Sequence, residues 1–444
     1  MTITIHRGSH QIGGCITEIK SEKGTKILID LGHNLPEGDK LSDDIYDQPE
    51  KMDELLKGVN AVFYTHPHGD HLSFETIVRE AGIPQYIGKA SKAMMLVLKG
   101  QQAYMATGER KNALLKSIDA IESFCEYDTK ETIKIDDIRV TPYFVSHSAA
   151  DAYMFVVECD GRRILHTGDF RDHGYRGKGL LPTIATYIAR RKIDVLITEG
   201  TMLSRNDSRV QSEEELMKSA IELMKRYDNV FVMCSSMDAD RISSFYNANK
   251  EFKGRPFVVD GYQYIQMKTM RDTLGADPKG WRYRFGGQLF YDKHKEEIQK
   301  SIPHKGVTVL IRNNSQMCKM IDELYPLMNP EKTCLIYSQF RGYVLKEHKA
   351  FQQRTYDFIH SKDWHIEYLH TSGHASREAL AAVCEKVNPR YAIIPIHRDA
   401  ESDFRSLPIS QELKGKVLTA TPHEAIGGID IIIKQVKYSN LCDK

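Results

Sequence analysis

The sequence contains no pair of cysteines spaced C-x-x-C, although eight cysteines are scattered through its 444 residues. Since structural zinc sites commonly use such pairs, we expect reduced, buried cysteines and no cysteine-based zinc site. The sequence also lacks an apolar leader after Met1 and any run of about eighteen apolar residues, the length needed to cross a membrane. These absences predict a cytoplasmic protein without a membrane association.

The sequence also has almost no excess of charge of either sign, because its 61 basic residues balance 60 acidic ones and the net charge is +1. This balance neither predicts nor excludes a polyanionic partner, since binding needs only a local basic patch. With 41% hydrophobic residues, 27% charged residues and no evident repeat, the composition is that of a globular protein. The length favours two domains, or one domain with a large insertion.

Short β-branched runs, interrupted by two helical patterns, fill the first two hundred residues and predict a mixed α/β layout. Several of these runs end in a side chain that can bind metal or move a proton: Asp30, His66, His147, Asp169 and Glu199. Strand ends that meet at one edge of a sheet can assemble a site from distant parts of the chain. We therefore expect these residues to converge.

A change of pattern near residue 205 marks a second module. Ser212 and Glu215 form a capping box that predicts a helix start, and alternating strand and helix patterns continue to about residue 362. Strand-like sequence then resumes at Ile393 to Ile396 and ends in His397. The predicted organisation is one domain made of 1–204 and 363–444, divided by an inserted α/β domain, 205–362.

The densest chemical pattern is His66-Pro-His-Gly-Asp-His71, which follows a short apolar run. Imidazoles and carboxylates suit zinc or manganese, and the absence of thiolates favours a catalytic site with open positions. Ser146-His147-Ser148 and His166-Thr-Gly-Asp-Phe170 offer further ligands at other predicted strand ends. The alternative interpretation is a chance cluster of these residues in a solvated loop. The further ligand-type residues in the other two motifs make that interpretation less favourable than a metal site.

Together these motifs resemble the metallo-β-lactamase fold, an αββα sandwich. The resemblance implies two metal ions per chain, Zn2+ with Mn2+ as the alternative. In that arrangement His66, His68 and His147 hold the first ion, Asp70, His71 and His397 hold the second, and Asp169 bridges them. The side chain of His166 should alternate away from that of Asp169, which favours a supporting role.

Three later motifs resemble motifs A, B and C of the β-CASP nucleases, in which an α/β cap domain is inserted into the metallo-β-lactamase fold. They are Thr198-Glu-Gly-Thr201, His370-Thr-Ser-Gly-His-Ala-Ser376 and Ile394-Pro-Ile-His-Arg398. Taken singly, Glu199, His374 and His397 could be structural. The resemblance gives Glu199, His374 and His397 functional positions. The predicted catalytic residues are Asp70, Glu199 and His374, and His374, oriented by Glu199, is the candidate that donates a proton to the leaving group.

Within that family the histidine of motif C resembles the ribonuclease J branch, here without its extra C-terminal domain. The resemblance implies RNA as substrate, with Ser236, Arg241, His370 and Ser372 near its phosphates. One position departs from the branch, because Asp240 stands where a histidine is expected. A carboxylate repels phosphate, so the sequence slightly favours an endonuclease or an exonuclease less strict about the 5′ end.

The predicted function is a metal-dependent ribonuclease that hydrolyses phosphodiester bonds with a hydroxide activated by two metal ions. Two alternatives stay open. One is a single-stranded DNA nuclease or another phosphodiester hydrolase of the same fold, and the other is a non-catalytic RNA-processing partner. A homodimer is also compatible with the sequence.

Overall fold

The computed structural model describes residues 1–41, 43–205, 210–419 and 425–428. The chain divides into two compact units. The first comprises Met1–Leu35, Ser42–Val210 and Gly373–Lys444, and the second comprises Pro36–Leu41 and Gln211–Ser372. Pro36–Leu41 and residues 363–372 therefore lie in the second unit, although the predicted domain limits assigned both to the first domain.

The strands, in chain order, are β1 Thr2–Arg7, β2 Ile16–Lys20, β3 Lys26–Ile29, β4 Ala61–Phe63, β5 Gln85–Gly88, β6 Cys125–Tyr127, β7 Ile133–Ile135, β8 Ile138–Val145, β9 Ala152–Cys159, β10 Arg162–His166, β11 Val195–Glu199, β12 Asn229–Met233, β13 Phe257–Val259, β14 Gln288–Phe290, β15 Val307–Ile311, β16 Thr333–Tyr337, β17 His365–Tyr368, β18 Ala392–Ile396 and β19 Ala425–Gly428.

The α-helices are α1 Pro49–Leu56, α2 Glu75–Glu80, α3 Lys89–Met105, α4 Gly108–Glu122, α5 Leu180–Thr183, α6 Glu213–Arg226, α7 Ala239–Asn249, α8 Gly261–Thr273, α9 Tyr291–Lys305, α10 Ser315–Leu324, α11 Gln353–Ile359, α12 Arg377–Val387 and α13 Gln411–Lys414. Among the described residues, none of these helices has the length and apolar character needed to cross a membrane.

Two sheets form the centre of the first unit. Their strand orders are β19-β1-β2-β3-β4-β5-β6 and β18-β11-β10-β9-β8-β7. Residues of both sheets, such as Ile5, Phe63, Phe155 and Ile394, form one core of buried side chains, so the sheets pack face to face.

Helices cover the outer faces of both sheets. Met52 of α1, Val78 of α2 and Met95 of α3 pack on the first sheet, and Leu380 of α12 packs on the second. The four layers confirm the predicted αββα sandwich of the metallo-β-lactamase fold. The methionine-rich part of α3 is also buried, since Met94 is 0% exposed.

The second unit contains one parallel sheet with the strand order β14-β13-β15-β12-β16-β17. Its core includes Phe231, Val309 and Leu335 from the strands and Ile321 from α10. As the capping box predicts, Ser212 caps α6: its hydroxyl accepts from the Glu215 amide, and the Glu215 carboxylate accepts from the Ser212 amide. This unit has the α/β character predicted for the insertion.

The direction of the strands explains where functional side chains meet. In the second sheet β10, β11 and β18 are parallel, and β8 runs the same way because it is separated from β10 by the antiparallel strand β9. Their carboxyl ends lead directly to His147, Asp169, Glu199 and His397. One edge of the sheet therefore receives a ligand-type residue from each of four strands.

Candidate metal centre

Three histidines form the first part of the centre. His68 Nδ1 lies 3.1 Å from His66 Nε2 and 3.3 Å from His147 Nε2. Burial lowers the pKa of His66 and His147 well below its usual value and lowers that of His68 to about 4. The three rings are therefore neutral, which is the state in which imidazole binds a metal.

The outer nitrogen of His147 fixes the orientation of its ring. Nδ1 donates a hydrogen bond to the carbonyl oxygen of Gly373 at 2.6 Å, so Nε2 carries the lone pair that faces the other histidines. A Cβ atom at Gly373 would lie 2.2 Å from Ser148 Oγ. Only glycine allows this close approach of the backbone to the histidine.

Carboxylates and two further histidines form the second part. His71 Nε2 lies 3.2 Å from Asp169 Oδ2 and 3.9 Å from Asp70 Oδ2. His397 Nε2 lies 3.2 Å from Asp70 Oδ2 and 3.5 Å from Asp169 Oδ2. The same Asp169 oxygen is 3.9 Å from His147 Nε2. Asp169 is thus next to ligand-type atoms of both parts.

The electrostatics of the second part are opposite to those of the first. Burial opposes protonation of His71 and His397, but Asp169 and the neighbouring carboxylates outweigh it and raise the pKa of both rings. Burial likewise opposes ionisation of Asp169, yet His397, His71 and His374 hold the pKa of its carboxyl well below the usual range. Buried carboxylates here require positive charge beside them.

The residues fit a bound divalent cation. His71 Nε2 is buried and has no hydrogen-bond partner within the described part of the chain. Three overlapping groups each place their ligand atoms within 4.8 Å of one another: His66, His68 and His147; His66, His71 and Asp169; and Asp169, Glu199, His374 and His397. Imidazole nitrogens and carboxylate oxygens, without a thiolate, are ligands suited to zinc or manganese.

Asp30 orients two of these histidines. The sequence predicted only that Asp30 follows a strand and can bind metal or move a proton. Its Oδ2 accepts from His71 Nδ1 at 2.8 Å and from the Thr65 hydroxyl at 2.8 Å. Because that hydroxyl donates to Asp30, it can accept from His66 Nδ1, 3.0 Å away. One carboxylate therefore turns the Nε2 atoms of His66 and His71 towards the centre.

Thr201 orients the ring of His397, a role that the sequence did not predict. The Thr201 hydroxyl donates to the His397 carbonyl at 3.2 Å, so it accepts from His397 Nδ1 at 2.7 Å. His397 itself has φ of 49°, a left-handed conformation that is unusual for a non-glycine residue. The signal was present in the Thr198-Glu-Gly-Thr201 motif, whose last residue was quoted but given no function.

Glu199 and His374 form a pair, as the sequence predicted. His374 Nδ1 lies 3.1 Å from Glu199 Oε2, while Glu199 Oε1 accepts from the backbone amides of Phe170 and Ala375 at 2.9 and 3.3 Å. Glu199 is fully buried. His374 Nδ1 is also 3.6 Å from Asp169 Oδ2, so the pair adjoins the candidate metal ligands.

Two other residues near the centre have different surroundings. His166 lies outside these ligand groups: its Nδ1 accepts from the Gly168 amide at 3.1 Å, and its Nε2 is 3.4 Å from Thr17 Oγ1. Cys15, which the sequence left as an ordinary buried cysteine, groups with His71 and His397. Burial raises the pKa of its thiol well above the usual value.

The predicted substrate contacts Ser236, Arg241, His370 and Ser372 lie in the second unit. Arg241 is 1% exposed, and its guanidinium forms a bidentate ion pair with Glu213, with Nη2 to Oε1 at 3.0 Å and Nε to Oε2 at 3.2 Å. It also donates to Ser338 Oγ at 2.8 Å and lies 3.0 Å from His370 Nδ1.

Arg241 also donates to the carbonyl of Thr371 at 2.9 Å. This guanidinium therefore links the start of α6, the end of β16 and the segment before Ser372. Asp240, the position that departs from the family pattern, is buried and accepts from the Tyr283 hydroxyl at 2.5 Å. Neither side chain is oriented as a surface phosphate contact in this structure, so a contact role for Arg241 stays a prediction.

Comparisons with known proteins agree with this fold. Residues 16–204 match the family model of the metallo-beta-lactamase superfamily. Residues 364–406 match that of the Zn-dependent metallo-hydrolase RNA specificity domain. A solved structure of a protein of unknown function from Enterococcus faecalis has the same fold, with a TM-score of 0.69 and 17% identity, and the alignment covers 96% of this chain and 99% of that one.

Curated relatives include ribonuclease J of Mycoplasma pneumoniae, 23% identical over 402 residues, with 87% of this chain and 66% of the relative covered. Ribonuclease J of Mycoplasma genitalium is 29% identical over 178 residues, covering 39% of this chain and 29% of the relative. Cleavage and polyadenylation specificity factor subunit 3 of Dictyostelium discoideum is 24% identical over 226 residues, covering 46% and 26%. The chain thus spans less than two thirds of the length of each.

The chain therefore combines a metallo-beta-lactamase domain with an RNA specificity domain of the Zn-dependent metallo-hydrolases. It is homologous to ribonuclease J and to cleavage and polyadenylation specificity factor subunit 3. This confirms the resemblance to the β-CASP family that the three later motifs indicated.

Proposed function

We propose that the protein is a metal-dependent ribonuclease that hydrolyses phosphodiester bonds in RNA and holds two zinc ions. The observation that carries this proposal is the continuous cluster of buried imidazoles and carboxylates whose outer nitrogens are fixed by Asp30, Thr65, Thr201 and Gly373. The homology to ribonuclease J and the match to an RNA specificity domain support RNA as the substrate.

In this proposal His66, His68 and His147 would hold one ion, and Asp70, His71 and His397 would hold the other. Asp169 would contribute to both, since its Oδ2 is 3.2 Å from His71 and 3.9 Å from His147. When bound, the metal ions supply Lewis acidity that activates water and offsets negative charge on the phosphate. Mn2+ is the alternative cation for the same donor set.

The protein's own contribution to bond cleavage would be proton transfer to the leaving oxygen. The Glu199 carboxylate accepts from His374 Nδ1, so the second proton of the imidazolium sits on Nε2, from which it can be donated. The two amides on Glu199 Oε1 hold the carboxylate in place. His374 thus has the fixed orientation that a general acid needs.

End-labelled single-stranded RNA tests the proposal directly. We expect the zinc-loaded protein to cleave RNA, to lose activity on chelation and to regain it on adding zinc, and to cleave DNA of the same sequence more slowly. Equal cleavage of both polymers would favour a general phosphodiesterase. Absence of cleavage in metal-replete protein, despite RNA binding, would favour a non-catalytic partner.

A further inference from the structure

Among the cysteines that the structure describes, only Cys15 lies in a group of metal-ligand atoms. Its sulfur and one ring nitrogen from each of His71 and His397 lie within 4.8 Å of one another, and all three residues are buried. The sulfur and nitrogen ligands of one tetrahedral zinc ion lie about 3.5 Å apart, given bond lengths of about 2.3 and 2.0 Å. The three atoms can therefore reach a common ion through side-chain movements of little more than about 1 Å.

Backbone hydrogen bonds hold Cys15 in this position. Its amide donates to the carbonyl oxygen of Asp70 at 2.9 Å, and its own carbonyl oxygen accepts from the Gly32 amide at 3.3 Å. Asp70 is itself a candidate ligand, and it directly precedes His71 in the chain. Cys15 is therefore tied to the short segment that carries two candidate ligands of the second ion.

The thiol of Cys15 is confined beside His397 by Gly8. A Cβ atom at Gly8 would lie 3.1 Å from Cys15 Sγ and 3.7 Å from the backbone nitrogen of His397. Gly8 has φ of 104°, a conformation that glycine adopts without steric cost. The absence of a side chain at this position leaves room for the sulfur next to the segment that carries His397.

The two histidines of the group are oriented for a ligand. His71 Nδ1 donates to Asp30 at 2.8 Å, while its buried Nε2 has no hydrogen-bond partner in the described ranges. His397 is oriented through Nδ1 by Thr201 at 2.7 Å. A buried nitrogen without a partner is unfavourable unless something binds it. The same position therefore offers two oriented imidazoles, one of them unpaired, next to a thiol.

A sulfur ligand changes the metal preference of a site built from histidines and carboxylates. Imidazoles and carboxylates accept both zinc and manganese, whereas thiolate sulfur is a soft ligand that favours zinc. Coordination forms a sulfur–metal bond and releases the thiol proton to solvent. A cation that gains little from sulfur leaves that proton in place.

We propose that Cys15 is a further ligand of the second metal position, beside His71 and His397, and that its sulfur makes this position select zinc over manganese. The inference rests on the metal centre of the proposed function and not on RNA cleavage. The alternative is that Cys15 only fills space as a small apolar side chain, which is the usual role of a buried cysteine.

Zinc-edge X-ray absorption of the full chain, loaded with two equivalents of zinc, tests the sulfur–metal bond without RNA. We expect a sulfur shell at about 2.3 Å beside the nitrogen and oxygen shell at about 2.0–2.2 Å. Cys15→Ser should lose the sulfur shell. Two control variants should keep it: Cys384→Ser, at a buried cysteine of the same unit, and Cys318→Ser, at an exposed cysteine. Cys15→Ala repeats the test if Cys15→Ser does not fold.

Competition between Zn2+ and Mn2+, followed by calorimetry, tests the selectivity. The ratio of zinc affinity to manganese affinity should fall by about tenfold or more in Cys15→Ser and stay unchanged in Cys384→Ser. The proposal is overturned if zinc-loaded wild type shows no sulfur shell, if the shell persists without Cys15, or if the affinity ratio does not change.

Failure of this inference and failure of the proposed function give different results. A protein with the Cys15-dependent sulfur shell that cleaves no RNA would refute the proposed function and leave the inference standing. RNA cleavage by zinc-loaded protein without a sulfur shell would do the reverse.

Discussion

Buried polar side chains serve opposite purposes in the two units. In the first unit, imidazoles and carboxylates approach each other at 3.1–3.9 Å, and His71 Nε2 has no hydrogen-bond partner among the described residues. In the second unit, all three guanidinium nitrogens of Arg241 are bonded to Glu213, Ser338, His370 or Thr371. The first cluster requires a cation from outside, whereas the second network satisfies itself.

This difference shows how to distinguish a binding centre from a structural network when both are buried and charged. A structural network pairs every donor with an acceptor of its own unit. A binding centre fixes the outer atom of each ligand, as Asp30 does for His71, and leaves the inner atom for something that the chain does not contain.

Metal removal should have the largest effect, and only on the first cluster. We expect chelation or His68→Ala to abolish cleavage of RNA and to lower the metal content measured by elemental analysis. Chelation should also lower the unfolding free energy, by about 2.7 kcal/mol if the free metal had been at a hundred times its Kd. His360→Ala, at an exposed histidine of the second unit, should change neither quantity. Full RNA cleavage by His68→Ala would contradict the interpretation of the first cluster as a metal centre.

Removal of the proton donor should have the next largest effect. His374→Ala should keep its metal and bind RNA but cleave it roughly a hundredfold to ten-thousandfold more slowly, because a general acid contributes about that much. Glu199→Gln should show a milder defect of the same kind. The measurements are elemental analysis and single-turnover cleavage.

A substrate with an activated leaving group separates proton transfer from metal binding. On a nitrophenyl phosphodiester the leaving group needs no proton, so His374→Ala should recover part of its lost rate. The role given to His374 is wrong if the variant loses metal, or if its defect on the activated ester equals that on RNA.

Breaking the self-satisfied network should reduce stability without altering metal content. Arg241→Met removes the guanidinium that forms the ion pair with the buried Glu213 carboxylate, so we expect a loss of about 3–5 kcal/mol in unfolding free energy. The double variant Arg241→Met with Glu213→Leu should regain much of it, because no isolated charge remains. Chemical denaturation of the single and double variants measures both effects. A stable single variant with weakened RNA binding would instead support a substrate contact.

The smallest effect is expected for a residue that orients ligands without binding metal. Asp30→Asn cannot accept from both His71 Nδ1 and the Thr65 hydroxyl in the same way, so we expect metal affinity to fall by about tenfold to a hundredfold. Competition with a chromogenic chelator gives the affinity. Asp194→Asn is the control, because Asp194 is a buried carboxylate at the amino end of β11, the end opposite to Glu199, and accepts from the Arg163 amide. Equal losses in both variants would mean a general effect on folding.

Much of the fold was readable from the sequence because the local pattern and the motifs agree. Ser212 and Glu215 mark the start of α6, and β-branched runs mark β8 to β11. The helix α4 and the short strands β5, β6 and β7 were not predicted. The short strands β5, β6 and β7 lack the continuous β-branched run that marked β3 and β4, and the hydrophobic stripe of α4 is weak since few of its residues are buried.

The residue types that follow the strands, and their order, are visible in the amino-acid sequence, which is why the candidate metal ligands and the β-CASP resemblance could be identified. The orientation of these residues depends on the folded chain: Asp30 and Thr201 fix the rings of His71 and His397, and Cys15 lies beside those rings. Arg241 is likewise buried in an ion pair with Glu213. Hydrogen bonds between residues up to 327 positions apart, as between Asp70 and His397, depend on sheet register and strand direction. No local pattern in the chain encodes those long-range pairings.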